Sequence, residues 1–237
     1  WFTSYRGQTA NRIIRLNYDG TLDTSFDVSS GFNNYVYSIA IDSSNKIYVG
    51  GWFTSYRGQT ANRIIRLNYN GTIDASFNYG LGFNNYVSTI VINPSNNKIY
   101  VGGYFTEYNN NAAKYLARLN YNGSIDTSFD MSTGLNGNVN KIFLKGNNIY
   151  VGGSFTKFRT ETHNRFIVLN TSGNRNLTPI SATSMSINKY GFSYASDYSS
   201  INTSNQRWIP DKQYVDLKIN EASLAYVLKS GSIMTGS

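Results

Sequence analysis

Apolar and polar residues alternate along four short stretches of the segment Tyr35–Phe77, and the alternation predicts strands at Val36–Ile41, Lys46–Thr54, Arg63–Asn68 and near Ile73–Phe77. Polar punctuation separates them. Ser43-Ser44-Asn45 reads as a hairpin turn between the first two strands, and Asn93–Asn97, containing Pro94, repeats it further along. Asn70-Gly71 and Asn122-Gly123 read as type I′ turns from the third strand to the fourth, with Asp19-Gly20 and Ser172-Gly173 in the same place. A unit built this way is a four-stranded antiparallel meander, the form of one β-propeller blade.

The unit recurs. Residues 1–18, WFTSYRGQTANRIIRLNY, return letter for letter at 52–69, and weaker copies start at Tyr104 and Ser154, giving spacings of 51, 52 and 50 residues. This predicts an all-β repeat propeller over 1–173, with a partial blade at 1–28 and blades at about 35–79, 86–130 and 139–173. Phe2, Phe53, Phe105 and Phe155 keep one phase and Phe26, Phe77 and Phe129 another, as core positions between layers require. The glycine pairs 50–51, 102–103 and 152–153 follow the second strand each time, where a close backbone approach or a bulge excludes a side chain. Beside the constant Phe, the preceding residue drifts from Trp1 and Trp52 to Tyr104 and Ser154, and strand alternation turns it to the opposite face. Trp52, Tyr56, Tyr104 and Tyr108 are therefore the candidate contact residues, as exposed rings that stack on sugars or anchor a protein partner.

Composition narrows the chemistry. The chain has no Cys, which removes disulfides and thiolate metal sites, and it contains no apolar run long enough to cross a membrane as a helix. Its net charge of +8 is carried by the repeats: residues 1–175 hold 16 Lys/Arg and 9 Asp/Glu, a net +7, against a net +1 in the remainder. Arg12, Arg15, Arg63, Arg66, Arg118 and Arg165 flank the third strand, where they read as solvated outward positions and are too dispersed for a nucleic-acid surface. The single histidine, His163, has no sequence neighbours for a triad or metal cluster and reads as a surface residue. Asp23, Asp74 and Asp126 recur before the Ser-Phe element, yet Asn replaces their acidic neighbours in later repeats, so a turn or capping role fits better than paired-carboxylate catalysis. Asp19-Gly20 with Asp23 has the oxygen-rich look of a calcium loop but not the spacing. The expectation is a chain with no catalytic residues, no cofactor and no metal.

The phrase IYVGGWFTSYRGQTANRIIRLNYNGTIDASF at 47–77 resembles the delta-60 repeat family over about residues 1–173. That resemblance implies a seven-bladed type of propeller, an occurrence in bacterial surface proteins and phage structural proteins, and no catalytic residue to carry over. Three full units and an opening half are too few for such a ring, so either further blades lie upstream of Trp1, which is the favoured expectation, or several chains share a ring, or the units close as a smaller four-bladed propeller. After Asn174 the period stops in a Ser/Thr/Asn-rich connector, and Asp211 after Pro210 predicts a capped helix over about 212–227. The phrase PDKQYVD at 210–216 resembles module junctions of phage tail fibres. Together these readings point to a non-enzymatic virion component, a tail fibre or tail-associated protein that trimerises through 174–237 and contacts other virion proteins and a host glycan or protein. The alternative is a secreted or cell-surface bacterial adhesin.

Overall fold

The computed structural model describes residues 2–27, 29–131 and 133–176, together with the backbone of two strands at 185–188 and 191–194. The chain divides into two compact units, Trp1–Asn176 and Leu177–Ser237. The expected helix over 212–227 and the junction phrase lie outside the described residues.

The first unit is a series of small antiparallel sheets. An opening hairpin, β1 (Ser4–Tyr5) with β2 (Gln8–Thr9), precedes three like repeats. The second repeat holds β3 (Val36–Ile41), β4 (Ile47–Gly51), β5 (Ser55–Tyr56), β6 (Gln59–Thr60) and β7 (Ile64–Leu67). The third holds β8 (Val87–Ile92), β9 (Ile99–Gly103), β10 (Glu107–Tyr108), β11 (Asn111–Ala112) and β12 (Leu116–Leu119). The fourth holds β13 (Val139–Lys145), β14 (Asn148–Gly153), β15 (Lys157–Phe158), β16 (Glu161–Thr162) and β17 (Phe166–Leu169). In each the second long strand is central, in the orders β3-β4-β7, β8-β9-β12 and β13-β14-β17. In the second unit β18 (Met185–Asn188) pairs antiparallel with β19 (Gly191–Tyr194).

Two details depart from the alternation pattern. The strand expected over Lys46–Thr54 ends at Gly51, and the chain leaves the sheet for a separate hairpin, β5-β6. That hairpin is the true type I′ turn, with Arg57 and Gly58 both at positive φ (52° and 77°). At the Asn70-Gly71 turn only Gly71 is left-handed (φ 85°). Gly71 N donates to Asn68 O while Asn68 N donates to Thr72 O, which makes a three-residue loop with a glycine bulge. The fourth strand accordingly shrinks to a single bridge, Leu67 to Ile73, before a turn in which Asp74 Oδ1 accepts from Ser76.

The core lies between repeats. Each of three apolar clusters draws on two consecutive units; one joins Tyr48 and Ile64 to Val87, Ile90, Val101 and Phe105. Neighbouring first strands touch, β3 against β8 and β8 against β13, and Ile90 N donates to Ser38 Oγ across the seam at 2.9 Å. The glycine pairs make this approach possible: a Cβ on Gly50 would fall 2.5 Å from Val87 Cγ1 of the next repeat, and one on Gly51 2.0 Å from Tyr35 O. Phe53, Phe105 and Phe155 are fully buried and Phe26, Phe77 and Phe129 nearly so, whereas Phe2 remains 41% exposed. Burial of such side chains contributes about 1.5–3 kcal/mol each, so every repeat relies on its neighbour for stability.

Candidate functional site

Arginines first read as solvated are the bolts of the seam. Arg66 is 1% exposed; its Nε donates to Asp74 Oδ2 at 2.8 Å and its Nη2 to Ser76 Oγ. Its Nη1 reaches Tyr121 O in the following repeat at 2.5 Å. Arg118 repeats the pattern with Asp126, Ser128 and Thr171 O, and Arg15 does so with Asp23, Ser25 and Tyr69 O. Lys46 Nζ joins Asp74 at 3.0 Å and Lys98 Nζ joins Asp126 at 2.7 Å. Burial works to raise the Asp74 pKa, but Ser76, Lys46 and Arg66 outweigh it and hold the carboxyl down to about 2; Asp126 is lowered against its burial by the corresponding Lys98, Ser128 and Arg118. Of the six arginines only Arg165 is exposed. These carboxylates are committed to ion pairs and turns, which accounts for their recurrence. Asp19 is likewise engaged, accepting from Thr21 N at 2.9 Å and Thr21 Oγ1 at 2.6 Å.

Burial also corrects two of the four contact candidates. Tyr56 and Tyr108 lie in the core, and each donates its hydroxyl to a turn carbonyl, Gly71 O at 2.8 Å and Gly123 O at 2.6 Å. His163 is buried too, in the slot held by Ala10, Ala61 and Ala113 in the other repeats, with Nε2 3.3 Å from Glu161 Oε2.

Trp52 and Tyr104 come together with a ring that the sequence reading did not single out. Trp52 stacks on Tyr86 with centroids 5.1 Å apart and planes 20° apart, and Tyr86 stacks on Tyr104 at 4.1 Å and 25°. Tyr37 meets the edge of Tyr86 at 5.6 Å. The local chain explains the placement. Asn33 and Asn84 clamp the β5 and β10 segments by accepting two backbone N–H groups each, which fixes the approach to the first strand. Trp52 N then donates to Tyr35 O and Tyr104 N to Tyr86 O, bringing the residue after each glycine pair beside the entry to its sheet. A register shift between Val36 and Ser38 places Tyr37 at a bulge, where side chains are re-aimed.

The result is an aromatic ledge across the second and third repeats. With one indole face laid on Tyr86, Trp52 still exposes 44% of its surface, and Tyr37 exposes 40%. Burial raises the Tyr86 phenol well above its ordinary value, as does its bond to the Tyr104 hydroxyl, and burial raises Tyr37 as well. The ledge therefore carries no charge at neutral pH. Asn34 and Asn85 flank it, each accepting from the following tyrosine N–H through Oδ1 at 2.8 Å, and neither Nδ2 has a partner among the described residues.

The fourth repeat has lost the ledge and kept the scaffold. Gly137, Asn138 and Ser154 stand where the third repeat has Asn85, Tyr86 and Tyr104. Ser154 N still donates to Asn138 O at 2.9 Å, and Asn136 still clamps Thr156 and Lys157. The Asn-Asn-Tyr triplets at 33–35 and 84–86, broken at 136–138, were the signal in the sequence for the missed ring. Among the described residues, no group of three or more His, Asp or Glu is placed to hold a metal ion.

A family model described as a domain of unknown function (DUF5122) beta-propeller matches residues 1–26, 43–77 and 95–129. No curated protein matches the chain.

Proposed function

Because this chain belongs, through the repeats of residues 1–129, to the DUF5122 β-propeller family, we propose that it works by contact, as a rigid binding platform in a bacteriophage tail fibre or tail-associated protein. The observation that supports contact is the ledge of Trp52, Tyr86 and Tyr104, in which Trp52 is exposed and the two tyrosines are half-buried, large rings held at low entropy cost on a scaffold kept where they are absent. The recurring carboxylates Asp74 and Asp126 are engaged in ion pairs with Arg66 and Arg118 of their own repeats, and those arginines also reach carbonyls of the next repeat. The virion setting is supported by the PDKQYVD phrase and by a polar connector following the repeats. In this reading residues 174–237 attach the platform to other virion proteins as a homotrimer.

Antiserum raised against the full chain tests the setting. Immunogold label on the tails of purified phage particles is the expected result. Label confined to intact bacterial cells, with particles bare, refutes the virion assignment and favours the adhesin. Light scattering of the full chain should give three times the monomer mass, and a concentration-independent monomer would remove the trimer.

A further inference from the structure

We propose that the ledge of Trp52, Tyr86 and Tyr104, with the amides of Asn34 and Asn85, is a carbohydrate-binding site for a neutral hexopyranose within an oligosaccharide; this deepens the contact reading above and rests on it.

The repeats supply the comparison that carries the assignment. Positions that hold the scaffold are kept through the fourth repeat: the glycine pair, the buried Phe155, the Asn136 clamp and the backbone bond from Ser154 N. Three other positions change as a set, Asn85, Tyr86 and Tyr104 giving way to Gly137, Asn138 and Ser154, and the sheet register is unaltered. The scaffold thus persists where the rings and amide are absent, and their joint presence in the second repeat (Asn34, Tyr35, Trp52) and the third (Asn85, Tyr86, Tyr104) needs another reason.

Ligand chemistry follows from what the ledge offers. Its open indole face and ring edges suit the C–H face of a pyranose, since an electron-rich ring attracts the weakly positive axial hydrogens. Each flanking Asn spends its oxygen on the next backbone N–H and presents Nδ2 as a donor to sugar hydroxyls. The ledge is built of Trp, Tyr and Asn, with no Lys, Arg, Asp or Glu among its residues, so nothing in it selects a carboxylated or phosphorylated sugar. A peptide would gain the same apolar contact but would leave its backbone groups unpaired across a ledge with only two donors.

The test is a glycan array probed with the full chain, followed by titration of a hit oligosaccharide and read by isothermal calorimetry, which does not depend on Trp52 as reporter. Neutral glucose-, galactose- or mannose-based oligosaccharides should bind, and Trp52→Ala and Tyr86→Ala should each lower the affinity at least tenfold with the melting temperature unchanged. A double variant, Asn138→Tyr and Ser154→Tyr, with Gly137 kept because a Cβ there would fall 2.9 Å from Phe155 Cα, should raise array binding by building a second pair of rings. Should either alanine variant fail to fold, Asn85→Asp, which keeps an oxygen for Tyr86 N and removes the Nδ2 donor, reports in its place. A blank array, binding confined to anionic glycans, or neutral-sugar binding unaffected by the ledge variants each overturns the proposal. None of these outcomes bears on immunogold labelling of particles, so a wrong ligand and a wrong setting are told apart.

Discussion

Replacing Arg66 with alanine should be among the most damaging single changes in the repeats, and replacing Arg15, its sequence twin, should be much milder. Arg66 and Asp74 have side chains 1% and 7% exposed, so removing the guanidinium strands a buried carboxylate and frees Tyr121 O in the next repeat. Breaking one side of a buried pair costs about 3–5 kcal/mol; Lys46, which remains 3.0 Å from Asp74, keeps the loss near the lower end. Arg15 and Asp23 are about a fifth exposed, and a pair so screened contributes about 1 kcal/mol or less. For a chain of this size each kcal/mol shifts the melting temperature by about 2–4 °C. Thermal unfolding followed by near-UV circular dichroism should therefore drop by about 6–12 °C for Arg66→Ala and by at most about 4 °C for Arg15→Ala. Equal shifts for the two variants would refute the view that burial at the seam, and not the arginine itself, sets the stabilisation.

Gly51→Ala should abolish or severely weaken folding, because its Cβ would sit 2.0 Å from Tyr35 O; Gly58→Ala, with open space but φ at 77°, should cost only about 1 kcal/mol in urea unfolding. Tyr56→Phe removes one buried bond and leaves Gly71 O unpaired, so denaturant melts should show a loss of about 1–3 kcal/mol. Burial holds the His163 pKa below its ordinary 6.5 in spite of the bond its ring donates to Glu161, so the unfolded chain binds the proton more tightly. Stability measured against pH should thus be full above about 6.5 and fall as the pH drops through it, and His163→Ala should erase that slope. A second acid loss, from the lowered Asp74 and Asp126, should begin below about pH 4 and run to about 2 as the carboxylates take up protons.

Repeat length, strand positions and the core phenylalanines were legible because period and alternation depend only on local chemistry. The seam was not. Nothing in the pattern of Arg66 or Arg118 separates an outward arginine from one that crosses to the next repeat, since its partner, a backbone carbonyl more than 50 residues away, leaves no trace in the sequence. Tyr56 and Tyr108 failed as exposed candidates for a related reason: the β5 and β10 hairpins leave the sheet, and with them goes the strand parity that turns alternate residues outward. The type I′ turn was assigned to Asn-Gly when Arg57-Gly58 takes it, because an arginine at positive φ carries no propensity signal. Trp52 and Tyr104 were found from their drift between copies, and Tyr86 was missed because it sits outside the duplicated phrase.

Two stretches of identical sequence, 2–18 and 53–69, occupy different surroundings in one molecule. Leu16 is 42% exposed where Leu67 is fully buried, and Ile13–Leu16 has no partner strand among the described residues where Ile64–Leu67 pairs with Ile47–Gly50. The chain is thereby its own control experiment. Side-chain chemistry, propensity and intrinsic exchange rates cancel between the copies, and whatever difference in amide protection remains comes from the neighbours against which each copy packs, read within a single sample.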